Sequence, residues 1–273
     1  MPDAATTLDA PAPSLARTLL WGFTRVASVL ALLAAWETLA RSGMFTPFVL
    51  PSLTSVIERI GADAQSGELL INTGLTVYRA LVGFLISMIG GILVGVAMSR
   101  NVIANWFFDP IVSIGFPMPK IAFLPVVILW LGVYDVSKIT IVVIDAIFPV
   151  IAATLSAIRG VERELIWSAR NMGASDRELM WQIVLPAAMP QILTGLQVAL
   201  PPSMIVAVVA EMLMGGYGLG GAMVTASRFA DSRGVFAGIV EIAIVGYVLI
   251  KAMAMLRRRL LIWHQEANEP TTA

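Results

Sequence analysis

Residues 159–186 read RGVERELIWSARNMGASDRELMWQIVLP, a densely charged segment in an otherwise apolar chain. Arg159, Glu162, Arg163, Glu164, Arg170, Asp176, Arg177 and Glu178 all fall within it, and long apolar runs flank it on both sides. A charged stretch held between two membrane spans lies at or beyond the interface, where it meets a soluble partner or the lipid headgroups. From Glu162 to Met172, the apolar residues Leu165, Ile166, Ala169 and Met172 recur at helical spacing and predict a short amphipathic helix. Gly173 stands where a left-handed C-cap wants glycine. Ser175, with Glu178 three residues on, forms a capping box that starts a second helix. That helix is expected to run to Pro186, because Leu185, preceding a proline, is biased away from helical geometry. A plain connection needs far fewer residues, so the helix–turn–helix reads as a docking element lying across one membrane face.

Working outward, hydrophobic residues make up 58% of the chain and charged residues 13%, against roughly 25% charge in soluble domains. The chain is therefore an integral membrane protein. Each helical crossing needs about 20 apolar residues, which leaves room for about six spans in one all-α polytopic bundle. Zero net charge and the lack of a basic stripe with interleaved aromatics exclude nucleic acid as a partner. With no cysteine, disulfides, thiolate chemistry and zinc–thiolate sites are excluded too. His264, alone of its kind, reads as an ordinary tail residue rather than a metal ligand. No HExxH, no GxSxG and no paired histidines appear, so no catalytic residue, metal or cofactor is expected and the chain is read as no enzyme. No GxxxxGK[ST] loop is present to cradle phosphates, so energy for uphill transport has to come from another subunit.

Residues 1–17 have the composition of a disordered lead-in, residues 18–258 form the membrane domain, and residues 259–273 a tail. A first, uncleaved span is expected over 18–40, then a loop over 41–71 with a short surface helix after Pro51 and Ser52. The second span, 72–98, carries Gly83, Ser87, Gly91 and Gly95 on one face, a small-residue stripe that lets helix backbones approach closely. The third region, 106–131, is interrupted by Pro110, Pro117, Pro119 and Pro125 and cannot be one straight helix. Lys120 falls at its break, where it either lines a wet cavity or snorkels to the interface. The fourth span, 137–158, holds Asp145, and the fifth, 187–213, holds Pro190, Gln197, Pro201, Pro202 and Glu211. Intramembrane polar groups face a bundle interior or a cavity, so Lys120, Asp145, Gln197 and Glu211 are the candidates for a translocation path. Gly215 to Gly221 contains a GxGxxG match with no strand before it, and is expected to be a flexible turn instead of a nucleotide site. The last span, 235–255, ends at Arg257, Arg258 and Arg259. Arg17, Arg100, Arg159, Arg163, Arg170, Arg177 and those three arginines fall on one side, against Arg41, Arg59, Lys138, Arg228 and Arg233 on the other. The positive-inside rule puts the richer side, both termini and the 159–186 segment in the cytoplasm.

Gly173, nine residues, then Ile183-Val184-Leu185-Pro186 resembles the G-x9-I-x-L-P core of the cytoplasmic EAA loop of bacterial ABC-importer permeases. The likeness extends over nearly the whole chain: 47–55 resembles that family's segment before the second span, 117–132 its proline-rich stretch, and Ala210-Glu211-Met212 its fifth-span end. The branch resembled handles nitrate, sulfonates, taurine, bicarbonate and thiamine precursors. One departure stands out, since Trp167-Ser168-Ala169 occupies the place of Glu-Ala-Ala. The resemblance implies a type I importer permease of the bacterial inner membrane, working as a homodimer. It also implies separate cytoplasmic ATPase subunits that bind the ATP, and an external or periplasmic solute-binding protein. It makes Glu164, Leu165, Trp167, Ser168, Ala169, Arg170, Met172, Gly173, Ala174, Ile183, Leu185 and Pro186 the ATPase-coupling residues. The competing expectation is an ion-coupled secondary transporter with Asp145 or Glu211 as the titrating group.

Overall fold

A computed structural model describes residues 15–261, and for 15–26 the backbone alone; residues 1–14 and the tail from 262, His264 included, lie outside the described residues. Helix α1 (Leu15–Arg41) leads to α2 (Leu53–Ser66), which begins where the Ser52 hydroxyl accepts the Ser55 N–H and lies on the surface as expected. Then follow α3 (Glu68–Arg100), α4 (Val102–Gly115), a 3-10 turn (Lys120–Phe123), α5 (Leu124–Leu131), α6 (Asp135–Arg159) and α7 (Arg163–Asn171). A single turn, α8 (Asp176–Glu178), runs through a π-helical turn (Leu179–Val184) into α9 (Leu185–Met214), and α10 (Leu219–Arg228) and α11 (Ser232–Leu260) close the chain.

Among the described residues, Glu68–Arg100, Asp135–Arg159, Asp176–Met214 and Ser232–Leu260 are long and apolar enough to cross a membrane. Val102–Gly115 and Lys120–Leu131 form a further pair bent by 95°, at the proline cluster where a straight helix would lose its hydrogen-bond ladder. The described residues thus hold four such helices, or five crossings if the bent pair counts as one, against about six expected, and α1, at 27 residues, is about 40 Å long at 1.5 Å per residue. The result is an all-α polytopic bundle.

Helix α6 sits between α3 and α9. Lipid offers no hydrophobic drive for helix association, so small residues that admit close contact decide the pairing. The stripe on α3 does this against α6: a Cβ added at Gly83 would stand 2.6 Å from Val142 Cγ1, one at Gly91 2.7 Å from Val150 Cγ1, and one at Gly95 2.7 Å from Thr154 Cβ. Between them the Ser87 hydroxyl donates to its own helix at Gly83 O (2.9 Å) and across to Val143 O (3.0 Å). Along this seam Phe84, Ala146, Val150 and Ala157 join Ile192 and Leu196 of α9 in one core, which continues without interruption into Ala169, Leu179, Met180 and Val184 of the charged segment.

One expected boundary is corrected here. The second helix of the 159–186 segment does not end at Pro186, and Leu185 is helical at φ −67° and ψ −45°. The chain from Asp176 to Met214 is a continuous 39-residue helix. The widened turn over Leu179–Val184 sits immediately before the proline, where backbone bonds one residue longer than usual relieve the clash of the ring with the preceding turn. The apolar residues Leu179, Met180 and Val184 are buried through this turn, so packing holds the helix together where local preference alone would end it.

Candidate functional site

Helix α7 ends in a complete Schellman closure. The Gly173 N–H donates to Arg170 O (3.0 Å) and the Ala174 N–H to Ala169 O (3.1 Å), with Gly173 at φ +85°. The capping box follows at once: the Ser175 N–H donates to Glu178 Oε2 (2.9 Å) and the Glu178 N–H to Ser175 Oγ (3.4 Å). The turn between the two helices is therefore fixed by four backbone donors, each with a partner. The outer Arg170–Asp176 ion pair, at 3.2 Å and well exposed on both sides, adds little.

The faces of α7 divide differently from the simple periodic reading. Ala169 is buried and Ile166 half-buried against Leu179, Met180 and Val184, and Ala174, Ile183 and Leu185 pack partly onto the same core. Leu165 and Met172, which share the helical spacing of Ile166 and Ala169, do not share their burial and point outward. Leu165 is 45% exposed, Trp167 59% and Met172 81%, beside the exposed Glu164, Ser168, Arg170, Gly173 and Pro186. A helix whose charged surface carries three large apolar side chains has the character of a protein-docking face.

The opposite end of the bundle holds a buried ionic cluster. Glu211, on the last turn of α9, is fully buried. Its carboxylate accepts Arg79 Nη1 (2.6 Å), the Thr76 hydroxyl (2.8 and 3.0 Å) and the Gly220 N–H (3.1 Å). Arg79, on the first half of α3, also donates to Asp135 Oδ1 at the start of α6 (2.7 and 3.0 Å) and to Tyr217 O (2.7 Å). Thr76 Oγ1 accepts the Leu219 N–H, Asn72 Oδ1 accepts the Gly218 N–H, and Lys138 Nζ donates to Gly215 O, at 2.9, 2.9 and 2.8 Å. The glycine-rich segment is thus no flexible turn. It is strapped to α3, α6 and α9, and Gly218 lies so close to the Glu211 carboxylate that a Cβ there would collide with it. Arg79 and Lys138 escaped the sequence reading as a pair of anchors. The available signal was an arginine set inside an apolar span, since such a residue needs a buried acid.

The remaining path candidates stand apart from this cluster. Lys120 occupies the break between α4 and α5, where its ammonium donates to Phe116 O (2.7 Å) and sits 5.8 Å from the ring centres of Phe116 and Phe148. Asp145, half-buried on α6, precedes by about one turn Phe148, the ring beside the Lys120 ammonium. Gln197 is half-buried on α9, in the turn preceding Pro201 and Pro202. Those two prolines carry no N–H, so the carbonyls of Gln197 and Val198 have no ordinary helical donor. The structure brings Lys120 and Asp145 near one another and keeps Glu211 sealed away from them. Among the described residues no group of three or more His, Cys, Asp or Glu side chains could hold a metal ion.

A helical membrane bundle with a proline-broken span and an exposed, charged segment between two spans is the architecture of a polytopic membrane protein. Residues 87–262 match the family described as the binding-protein-dependent transport system inner membrane component, and the chain belongs to it. It is the membrane-embedded permease component of an ATP-driven importer, a class that functions with ATPase and solute-binding partners. Its relatives include the taurine transport system permease protein of Escherichia coli (strain K12), 30% identical, with 89% of this chain and 90% of the relative covered. Another is the putative aliphatic sulfonates transport permease protein of Bacillus subtilis (strain 168), 32% identical over 85% and 84%. Among solved structures, an amino acid ABC transporter with histidines matches at a TM-score of 0.60 and 14% identity, covering 73% of this chain and 95% of that one. The shared fold is that of an importer permease.

Proposed function

We propose that the chain imports a small organic or inorganic anion of the sulfonate or nitrate kind. In this reading two copies form the pore, and an external solute-binding protein delivers the solute. ATP is bound and hydrolysed by cytoplasmic ATPase subunits seated on the 159–186 element, which lies with both termini on the cytoplasmic side. The observation that carries the energy-coupling part is the exposure of Leu165 and Trp167 on α7 and of Met172 at its end, beside a turn closed by the Gly173 and Ser175 caps. Trp167 and Ser168 replace a family glutamate and alanine, so the contact there is made by an indole ring and a small hydroxyl in place of a carboxylate and a methyl. The solute class is supported by relatives named for taurine and aliphatic sulfonates at 30% and 32% identity, and by Lys120, a cation at the break of a span. Glu211 is not a carrier of coupling protons in this scheme, because three donors, Arg79, the Thr76 hydroxyl and the Gly220 N–H, enclose its carboxylate.

The test is uptake into vesicles holding the permease, its ATPase and its binding protein, with taurine, an alkanesulfonate and nitrate offered in turn. ATP-dependent accumulation of at least one of them is the expected outcome. Uptake that continues without ATP and collapses with the ion gradient would overturn the proposal.

A further inference from the structure

At the end of the bundle opposite the 159–186 element, α2, α3, the glycine-rich segment, α10 and α11 enclose a cavity of about 400 Å³. It lies apart from Lys120, Asp145 and Gln197, none of which reaches its wall. Its volume is near the low end of the roughly 300–1,000 Å³ of small-molecule sites.

The wall carries four carboxyl groups, Asp63, Glu68, Asp231 and Glu241, against one cation, Arg59. That cation is already committed: Arg59 Nε donates to Asp63 (2.9 and 3.0 Å), and Arg59 Nη1 to Asp231. Burial works against the guanidinium charge, but the hydrogen bonds and charges of Asp63 and Asp231 outweigh it and hold Arg59 above its ordinary pKa. Glu241 is different. It sits on α11 with 8% of its surface exposed, and its Oε1 is buried without any hydrogen-bond partner among the described residues. A buried polar atom left unpaired costs about 1–3 kcal/mol, so Glu241 is an acid with an unmet acceptor on the wall of this cavity.

The chemistry of that donor is narrowed by the rest of the wall. An anion is disfavoured by the excess of carboxyls over the single, satisfied guanidinium. A bare metal ion is disfavoured because no three of these acids converge on one point. Leu69, Ile71 and Met223 supply apolar wall for a carbon skeleton. Tyr217 and Phe229, both largely exposed, present aromatic surface of the kind that attracts organic cations.

We propose that this cavity binds a small organic ammonium group, with the Glu241 carboxylate as its counter-charge. Two sources carry that chemistry: the ethanolamine headgroup of a membrane lipid, and a free water-soluble amine. An occupant would touch α2, α3 and α11 at once and hold them together.

The test uses the complex of permease and ATPase in nanodiscs of phosphatidylglycerol, with the melting temperature of the permease as readout. In one arm free ethanolamine is titrated, with uncharged ethylene glycol as control; in the other, part of the lipid is exchanged for phosphatidylethanolamine. The expected result is a rise in melting temperature in at least one arm for the native chain, the responding arm naming the source. Glu241→Gln, which keeps the shape and removes the charge, is expected to weaken that response at least tenfold in half-saturating concentration or lipid fraction. Ala222→Leu, which fills the cavity from α10 and leaves every charge in place, should do the same and guards against misreading a folding defect in the first variant. The proposal is overturned if neither arm shifts the native protein, if ethylene glycol matches ethanolamine, or if both variants respond like the native chain.

Discussion

Replacing Arg79 by leucine tests whether the ionic cluster at the end of α9 holds the bundle together. In the native chain Arg79 is nearly inaccessible, Glu211 wholly so, and Asp135 about half exposed. Arg79→Leu strands the Glu211 carboxyl with only Thr76 and the Gly220 N–H, and breaking a buried pair from one side costs about 3–5 kcal/mol. The exposed Asp135 arm adds at most about 1 kcal/mol. Glu211→Gln is milder, because Arg79 keeps Asp135 and Tyr217 O while the amide still accepts from Thr76. Losing one charged hydrogen-bond partner in this way costs about 1.5–3 kcal/mol. Removing both charges together as Arg79→Leu/Glu211→Gln leaves no stranded ion, and a recovery of about 1–3 kcal/mol relative to the sum of the single changes is expected. At about 2–4 °C per kcal/mol for a chain of this size, Arg79→Leu should lower the melting temperature by about 10 °C and Glu211→Gln by about half as much. Thermal unfolding of the detergent-purified protein, followed by tryptophan fluorescence, reads these shifts. If Arg79→Leu melts within 2 °C of the native chain on the scale of that estimate, or the double variant is no better than the two losses added, the cluster does not do what its geometry implies.

Two further outcomes follow from the packing. At Gly173 a Cβ would touch nothing within 4 Å, and the constraint is the positive φ alone, so the loss should track backbone preference rather than size. Asn should be nearly neutral, Ala should cost about 1 kcal/mol and Val about 2 kcal/mol, and ATP-driven uptake in reconstituted vesicles should fall in that order, with Gly173→Val hydrolysing ATP without transport; a Val variant with normal uptake would remove Gly173 from the coupling route. On α3, Gly90 and Gly91 are neighbours with opposite surroundings: a Cβ at Gly90 meets Ile147 Cδ1 at 3.7 Å, whereas one at Gly91 meets Val150 Cγ1 at 2.7 Å. Gly90→Ala should stabilise the helix by about 0.5–1 kcal/mol and Gly91→Ala should destabilise the bundle by about 1–3 kcal/mol, and equal melting temperatures for the two would contradict the α3–α6 seam.

What the sequence disclosed was whatever a short window of residues decides. The glycine C-cap at Gly173, the Ser175–Glu178 box and the four-residue spacing of Gly83, Ser87, Gly91 and Gly95 each depend on neighbours within one or two helical turns. The break between α4 and α5 was legible for the same reason, since its prolines act locally. Pro186 was misjudged because the turn before it is held by Leu179, Met180 and Val184 against α7 and α9, a contact that no local pattern announces. The partnership of Arg79 with Glu211 spans 132 positions, and only the pairing of α3 with α9 through α6 brings the two together. The order of the glycine-rich segment depends on that same pairing, which is why permissive residues there read as freedom and turned out to be a close fit.

The continuity of the helix from Asp176 to Met214 has a mechanical consequence. Its foot stands in the capped turn beside Gly173 and its head carries Glu211, so the 159–186 segment and the ionic cluster lie at the two ends of one continuous helix. Thirty-nine residues make a rod of about 58 Å, and a tilt of about 5° at the foot would displace the head by about 5 Å, more than a hydrogen bond can stretch. A push on α7 by a partner would therefore be felt at Glu211 as a pull on Arg79, and the strap over the glycine-rich segment would open or close as the rod swings.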